Sequence, residues 1–258
     1  MFLKWLRRRR RMQIIAQAFP EEWNAILRAN VFHDQRLSDG QRARLRELIQ
    51  VFVAEKNWEG CNGFAVTDEV KVTIAAQACF LVLGLQDANF DHVLSILVYP
   101  DSYVAQTVET TRAGVVVERG HARLGEAWWR GPVILSWSDV LAGGRRESPG
   151  RNLVFHEFAH QLDMMNGRML DGTPPLETKE KLQRWVGVLE PAYHRLVEEC
   201  RLGLRGVIDC YGTTNVAEFF AVVTESFFEH PQSLNNDHPL VYEVLRDYFR
   251  LDPITWRD

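Results

Sequence analysis

Residues 152 to 165 read NLVFHEFAHQLDMM, with two histidines four apart and a glutamate directly after the first. Residues four apart lie almost above one another on a helix. In a helical conformation His156 and His160 therefore project their imidazoles from one face, at a spacing suited to one zinc ion, with Glu157 beside it. Such a cluster serves hydrolysis: neutral imidazoles hold a metal, the metal activates a water against a carbonyl, and the carboxylate takes the proton. Leu153, Val154, Phe155, Phe158, Ala159 and Leu162 are apolar. The helix is thus expected to be buried on more than one face, where two histidines and a glutamate would be costly without partners. A surface helix with Glu157 in solvent fits those flanks poorly.

A catalytic zinc takes three protein ligands and leaves one position open. The extended pattern HExxHxxGxxH is absent, because position 163 is Asp and position 166 is Asn. Two candidates for the third ligand lie downstream. Glu218 falls in YGTTNVAEFFAVVTESFFE, a predicted helix on which Glu218, Ala221, Val222 and Glu225 share one stripe. Its neighbours are apolar on most sides, and Ala221 allows close approach of a second helix. Asp209, in GVIDCYG, is the other candidate, an imperfect echo of zinc peptidases in which an aspartate ligand is followed closely by a Tyr-Gly pair. Glu225, two turns beyond Glu218, is placed to hydrogen-bond a ligand histidine. Asp163, three residues after His160, either orients a ligand or faces water. Tyr211 could donate to an oxyanion formed by attack on a carbonyl, or serve as a buried structural phenol. His33, His92, His121, His194, His230 and His238 lie in no ligand spacing and are expected in surface or packing roles.

The elements that must position these groups are partly legible. PEEWNAILRANV and SDGQRARLRELIQVFVAEKNW carry apolar residues at helical spacing, the second opened by the capping residues Ser38 and Asp39. EGCNGF reads as a turn. TDEVKVTIAAQACFLVLGL reads as a long buried helix capped by Thr67, with Asp68 and Glu69 near its positive end. HVLSILVYP, YVAQTVE, GVVVERG and GPVILSW are short β-branched or aromatic runs separated by Pro and Gly, and predict a small sheet over residues 92–137. Helices resume at Asn152. The order gives an α+β domain over residues 20–258: helical 20–91, sheet 92–137, catalytic helices 151–258. Residues 1–19 form a basic arm ahead of it.

Composition excludes several classes. With 46% hydrophobic and 25% charged residues and 28 aromatic side chains, the chain has the material of a folded core. The net charge of −4 argues against a dedicated nucleic-acid binder. Lys4 and Arg7 to Arg11 concentrate six positive charges, so the remainder, 34 acidic against 24 basic residues, is close to −10. Such an arm is either a solvated, frayed terminus or a contact for acidic lipid, nucleic acid or an acidic partner. Neither a signal peptide nor a membrane span is expected, since the longest apolar run, residues 74–85, is short and interrupted by Gln77. The four scattered cysteines are expected to be reduced thiols, and the location cytoplasmic.

NLVFHEFAHQLDMMNG and YGTTNVAEFFAVVTESFFE together, with GCNGFAVTDEVKVTIAAQACFLVLGL and YPDSYV, resemble the Mlc titration factor A family of bacterial zinc metallopeptidases. The resemblance covers nearly the whole chain and is weakest in the arm. It implies a zincin-like gluzincin fold with a small mixed sheet, similar to the catalytic domain of anthrax lethal factor, in which a tyrosine also precedes the glutamate ligand by seven residues. By position it implies His156, His160 and Glu218 as zinc ligands, Glu157 as general base and Tyr211 as transition-state donor, favouring Glu218 over Asp209. In zincins the active-site helix commonly follows a strand at the lip of the cleft, as PVILSW precedes this one. The resemblance further implies aminopeptidase-like activity on peptides, and binding of the repressor Mlc, which influences the glucose phosphotransferase system. The rival expectation is a binding protein that sequesters the repressor around a structural or vestigial zinc.

Overall fold

In the computed structural model, residues 2–85, 89–101, 131–147, 149–167 and 170–256 are described. The N-terminal part contains α1 (Phe2–Ile15), α2 (Glu21–Asn30), α3 (Asp39–Glu55), β1 (Asn57–Gly60) and α4 (Asp68–Phe80). After β2 (Ser95–Tyr99) and β3 (Val133–Ser136) the chain is helical: α5 (Trp137–Gly144), α6 (Leu153–Asp163), α7 (Lys179–Arg201), α8 (Val216–Glu229), α9 (Pro231–Asp237) and α10 (Pro239–Phe249). The class is α+β and mostly helical.

The sheet has the order β1-β2-β3, with both pairings parallel among the described residues. The strands expected from YVAQTVE and GVVVERG lie outside the described residues. β1 corrects the expected boundary, because the sequence pattern places its residues at the end of the second helix and in the EGCNGF turn. The cause is tertiary. Lys56 ends α3 and donates through Nζ to the carbonyls of Phe90 (2.7 Å) and Val93 (2.9 Å). Asn57 N–H then donates to Leu94 O at 2.9 Å, which starts the ladder with β2. Helical periodicity carries no record of partners some forty residues away. α4 is the crossover between these parallel strands, and Thr67 caps it as expected by accepting from Val70 N–H.

α6 is held from several sides by aromatic contacts. Phe158 meets Phe90 and Phe52 at ring-centre distances of 4.9 and 5.7 Å, and Phe155 meets Phe228 of α8 at 5.1 Å. Phe155, Phe158 and Ala159 are wholly buried, so the helix has little freedom to turn about its axis. No helix among the described residues is long and apolar enough to cross a membrane.

Two expectations change. The basic segment folds as α1 and lies against α3. Arg11 bonds Glu55 at 2.9 Å and pairs with Asp91, which also pairs with Arg7. The cysteines are not all thiols, because Cys200 and Cys210 form a disulfide while Cys61 and Cys79 remain free. Their separation of ten residues suggested no framework by itself; the return of the chain after α7 brings them together. Closing a loop of that size contributes roughly 2–3 kcal/mol by restricting the unfolded chain. Cys200→Ser should lower the stability measured by urea unfolding by about that amount, and adding dithiothreitol to the wild type should reproduce the loss.

Candidate metal centre

α6 begins at Asn152, whose side chain accepts from Phe155 N–H at 3.0 Å. Its entry is tight: a Cβ at Gly143 of α5 would lie 3.1 Å from Asn152 Cα, so glycine lets α5 and the start of α6 touch. α8 begins at Asn215, which accepts from both Ala217 and Glu218 N–H, at 2.9 and 3.0 Å. This double cap fixes the first turn of α8 and with it the position of Glu218. α6 and α8 lie against each other, with Ala159 and Ala221 both fully buried.

Across that helix pair His156, His160 and Glu218 converge. His156 Nε2 is 3.3 Å from His160 Nε2 and 3.0 Å from Glu218 Oε2, while His160 Nε2 is 3.5 Å from the same oxygen. A tetrahedral ion with bonds of about 2.0–2.1 Å needs its donors about 3.3–3.4 Å apart. The three edges fall around that separation, so the residues fit a four-coordinate metal with one position left open. Asp209 is not in the cluster. It accepts from Tyr211 N–H at 2.8 Å and from Arg151 at 3.1 Å; the first of these bonds, helped by Arg151, holds its carboxyl below the usual range.

Glu225 orients His156. Its Oε1 lies 2.8 Å from His156 Nδ1, so the tautomer with the proton on Nδ1 turns the Nε2 lone pair toward the other two donors. Its Oε2 accepts from Asn152 N–H at 2.6 Å. Sequence reasoning missed the group behind it. Buried Glu229 sits 3.3 Å from Asn152 Nδ2, 3.1 Å from His33 Nε2 and 3.2 Å from Arg146 Nε. The signal was present, because Glu229 continues the stripe of Glu218 and Glu225 by one more turn. His33, whose spacing suggested nothing, is buried by this contact. Asp163 does not touch a histidine; it accepts from Gly172 and Thr173 N–H, at 2.8 and 2.9 Å, and so anchors the chain after α6.

The electrostatics follow from these contacts. Burial alone would depress His156, but the carboxylates of Glu218 and Glu225 overcome it and raise its pKa well above the usual histidine value. Burial alone would raise Glu218, and the two histidines instead hold it low. The site thus favours positive charge between the imidazoles, which a divalent cation also supplies. Glu157 is shifted upward, chiefly by burial. Burial, with help from Glu218 and Glu157, pushes Tyr211 up to about 12. His156, Glu157, Tyr211 and Glu225 line one open cleft of about 460 Å³, together with Arg151 and Asp209. A second cavity of about 270 Å³, between α7 and α10, contains none of these groups.

Two imidazoles and a carboxylate at metal-binding separations, opening on a cleft, place the chain in the class of candidate metalloproteins. Residues 3–250 match the family described as Glucose-regulated metallo-peptidase M90. An uncharacterised protein of Synechocystis sp. is 42% identical over 246 residues, 95% of this chain and 89% of that protein. Proteins named Mlc titration factor A from Yersinia pestis and Yersinia pseudotuberculosis are each 28% identical over 254 residues, 98% of this chain and 91% of theirs. The chain belongs to the M90 metallopeptidase family, that of Mlc titration factor A.

Zinc content after loading and dialysis distinguishes the two third-ligand candidates: Glu218→Gln should lose the metal and Asp209→Asn should keep it. Protons compete for the same lone pairs, so retention should fall as pH is lowered. Glu225→Gln should weaken zinc affinity about 10- to 100-fold, measured by competition with a chromogenic chelator, without loss of helical circular dichroism.

Proposed function

We propose that the protein is a zinc-dependent peptidase with a zincin-like, gluzincin-type fold, placed in the cytoplasm by its resemblance to the Mlc titration factor A family and not by its cysteines, two of which are joined. His156, His160 and Glu218 are its zinc ligands. The observation that carries this reading is the near-equilateral triangle of donors between α6 and α8, with Glu157 beside it on the same cleft. Zinc held there would supply the positive charge that acidifies a water and polarises a peptide carbonyl.

The chain's own groups do the rest. Glu157, whose carboxyl lies above the ordinary range, takes the proton of the attacking water and returns it to the leaving amine. Tyr211 keeps its phenolic proton across the neutral range, so its hydroxyl donates to the oxyanion that develops on the former carbonyl. Glu225 holds the His156 ring in place, and Asn152, bonded to Glu225, keeps the start of α6 in register with α8. β3 ends the order of strands among the described residues and lies near α6; it is the strand along which an extended peptide would pair. The aminopeptidase-like specificity implied by the family resemblance belongs to this reading.

Relatives at 28% identity carry the name Mlc titration factor A. That name supports a second role for this protein, binding a repressor of the Mlc type and so modulating the glucose phosphotransferase system. The two roles coexist if they use different surfaces.

Glu157→Gln should retain zinc and lose about 10²- to 10⁴-fold in kcat on a peptide or aminoacyl-anilide substrate. Full activity in the purified variant would sink the mechanism. In a pull-down, Glu157→Gln should still retain Mlc; loss of binding would make the repressor a ligand of the active site.

A further inference from the structure

Among the described residues the ion pairs that fasten α1 lie on one of its sides. Arg7 and Arg11 point inward to Asp91 and Glu55. On the opposite side Trp5, Arg9 and Met12 follow the i, i+4, i+7 spacing of one stripe, flanked by Leu6, Arg8 and Arg10. Trp5 is 53%, Leu6 40% and Met12 57% exposed. The Arg9 guanidinium lies 5.7 Å from the centre of the Trp5 ring. Among the described residues no carboxylate pairs with Arg8, Arg9 or Arg10, and α1 itself contains no acidic residue. Leu94, 51% exposed, shares with Leu6 and Arg10 the rim of a cavity of about 340 Å³ beside the helix. The outer face is therefore cationic and apolar at once, on a chain whose remainder is strongly acidic.

From this combination we infer that the outer face of α1 is a docking surface for an anionic lipid bilayer. A helix lying in the interface plane places Trp and Leu at the level of the acyl boundary and its arginines among the lipid phosphates. A nucleic acid would reward the arginines alone and leave Trp5, Leu6 and Met12 exposed. α1 would hold the protein at the membrane surface without crossing it. One short helix provides reversible attachment that depends on anionic lipid, with each arginine contributing about a fivefold gain in partitioning.

The test is sedimentation of the full chain with vesicles of phosphatidylcholine, or of an equal mixture of phosphatidylcholine and phosphatidylglycerol. Binding is expected to the mixed vesicles only and should weaken with added salt. The combined change Arg8→Glu, Arg9→Glu and Arg10→Glu should lower partitioning by at least about a hundredfold. Trp5→Ser with Leu6→Ser and Met12→Ser should lower it about tenfold. Both variants keep Arg7 and Arg11 and should melt at the wild-type temperature. If either melts lower, Arg8→Gln with Arg10→Gln replaces it and should still lose about tenfold or more. Absence of binding at low salt, equal binding to pure phosphatidylcholine, or wild-type partitioning by the charge-reversed variant would each overturn the proposal. So would binding to duplex DNA that ignores the serine substitutions while the vesicles are not bound.

Discussion

The carboxylate of Glu225 is the pivot of the site. One oxygen bonds His156 and sets which nitrogen faces the cleft; the other receives the first amide of the α6 entry. A single side chain on α8 thus fixes both the rotation of a candidate ligand ring and the place where its helix begins. Without it the His156 ring would lose the partner on its Nδ1 side, and α6 and α8 would be joined at this level by fewer polar contacts. Packing sets helix positions well but does not select an imidazole tautomer.

Three glutamates on one side of an otherwise apolar helix would be ruinous if unpartnered, since a buried charge stripped of its pair costs several kcal/mol. The structure offsets each one differently. Glu218 faces two histidines, Glu225 faces a histidine and a backbone amide, and Glu229 faces His33, Asn152 and Arg146. The polar stripe is consequently continuous, running from the open cleft to a region where Glu229 and His33 are closed off from water. Such a stripe contributes little net stability. Its effect is on geometry, because each partner removes an alternative arrangement of the next.

How much of this could be read from the sequence depended on the range of the interaction. His156, Glu157 and His160 are local, and helical spacing alone puts the two histidines on one face with the glutamate beside them. Glu218 is marked by its apolar neighbours, but the residues alone leave Asp209 open beside it, and the family resemblance is what favours Glu218. The small side chain of Ala221 signals close helix approach, and α6 and α8 do lie against each other there. Glu229, His33 and the role of Asn152 in bonding Glu225 were not legible, because each is defined by a partner far along the chain. The same reason hid β1, whose residues look like the end of a helix until Leu94 supplies a hydrogen-bond acceptor, and the Cys200–Cys210 bridge. The basic arm was legible as charge but not as a docked helix, since Asp91 and Glu55 carry no marker of what they pair with.

The stripe on α8 also has a consequence for biosynthesis. A chain made from its N-terminus presents His33 first, then the two cleft histidines, and only much later Glu218, Glu225 and Glu229. Until α8 emerges, the helix bearing His156 and His160 lacks the carboxylates that orient and neutralise it. The cluster of His156, His160 and Glu218 therefore cannot close before α8 has emerged, well after the two histidines are made. The two halves of the stripe thus meet only through contacts made after α8 has been synthesised.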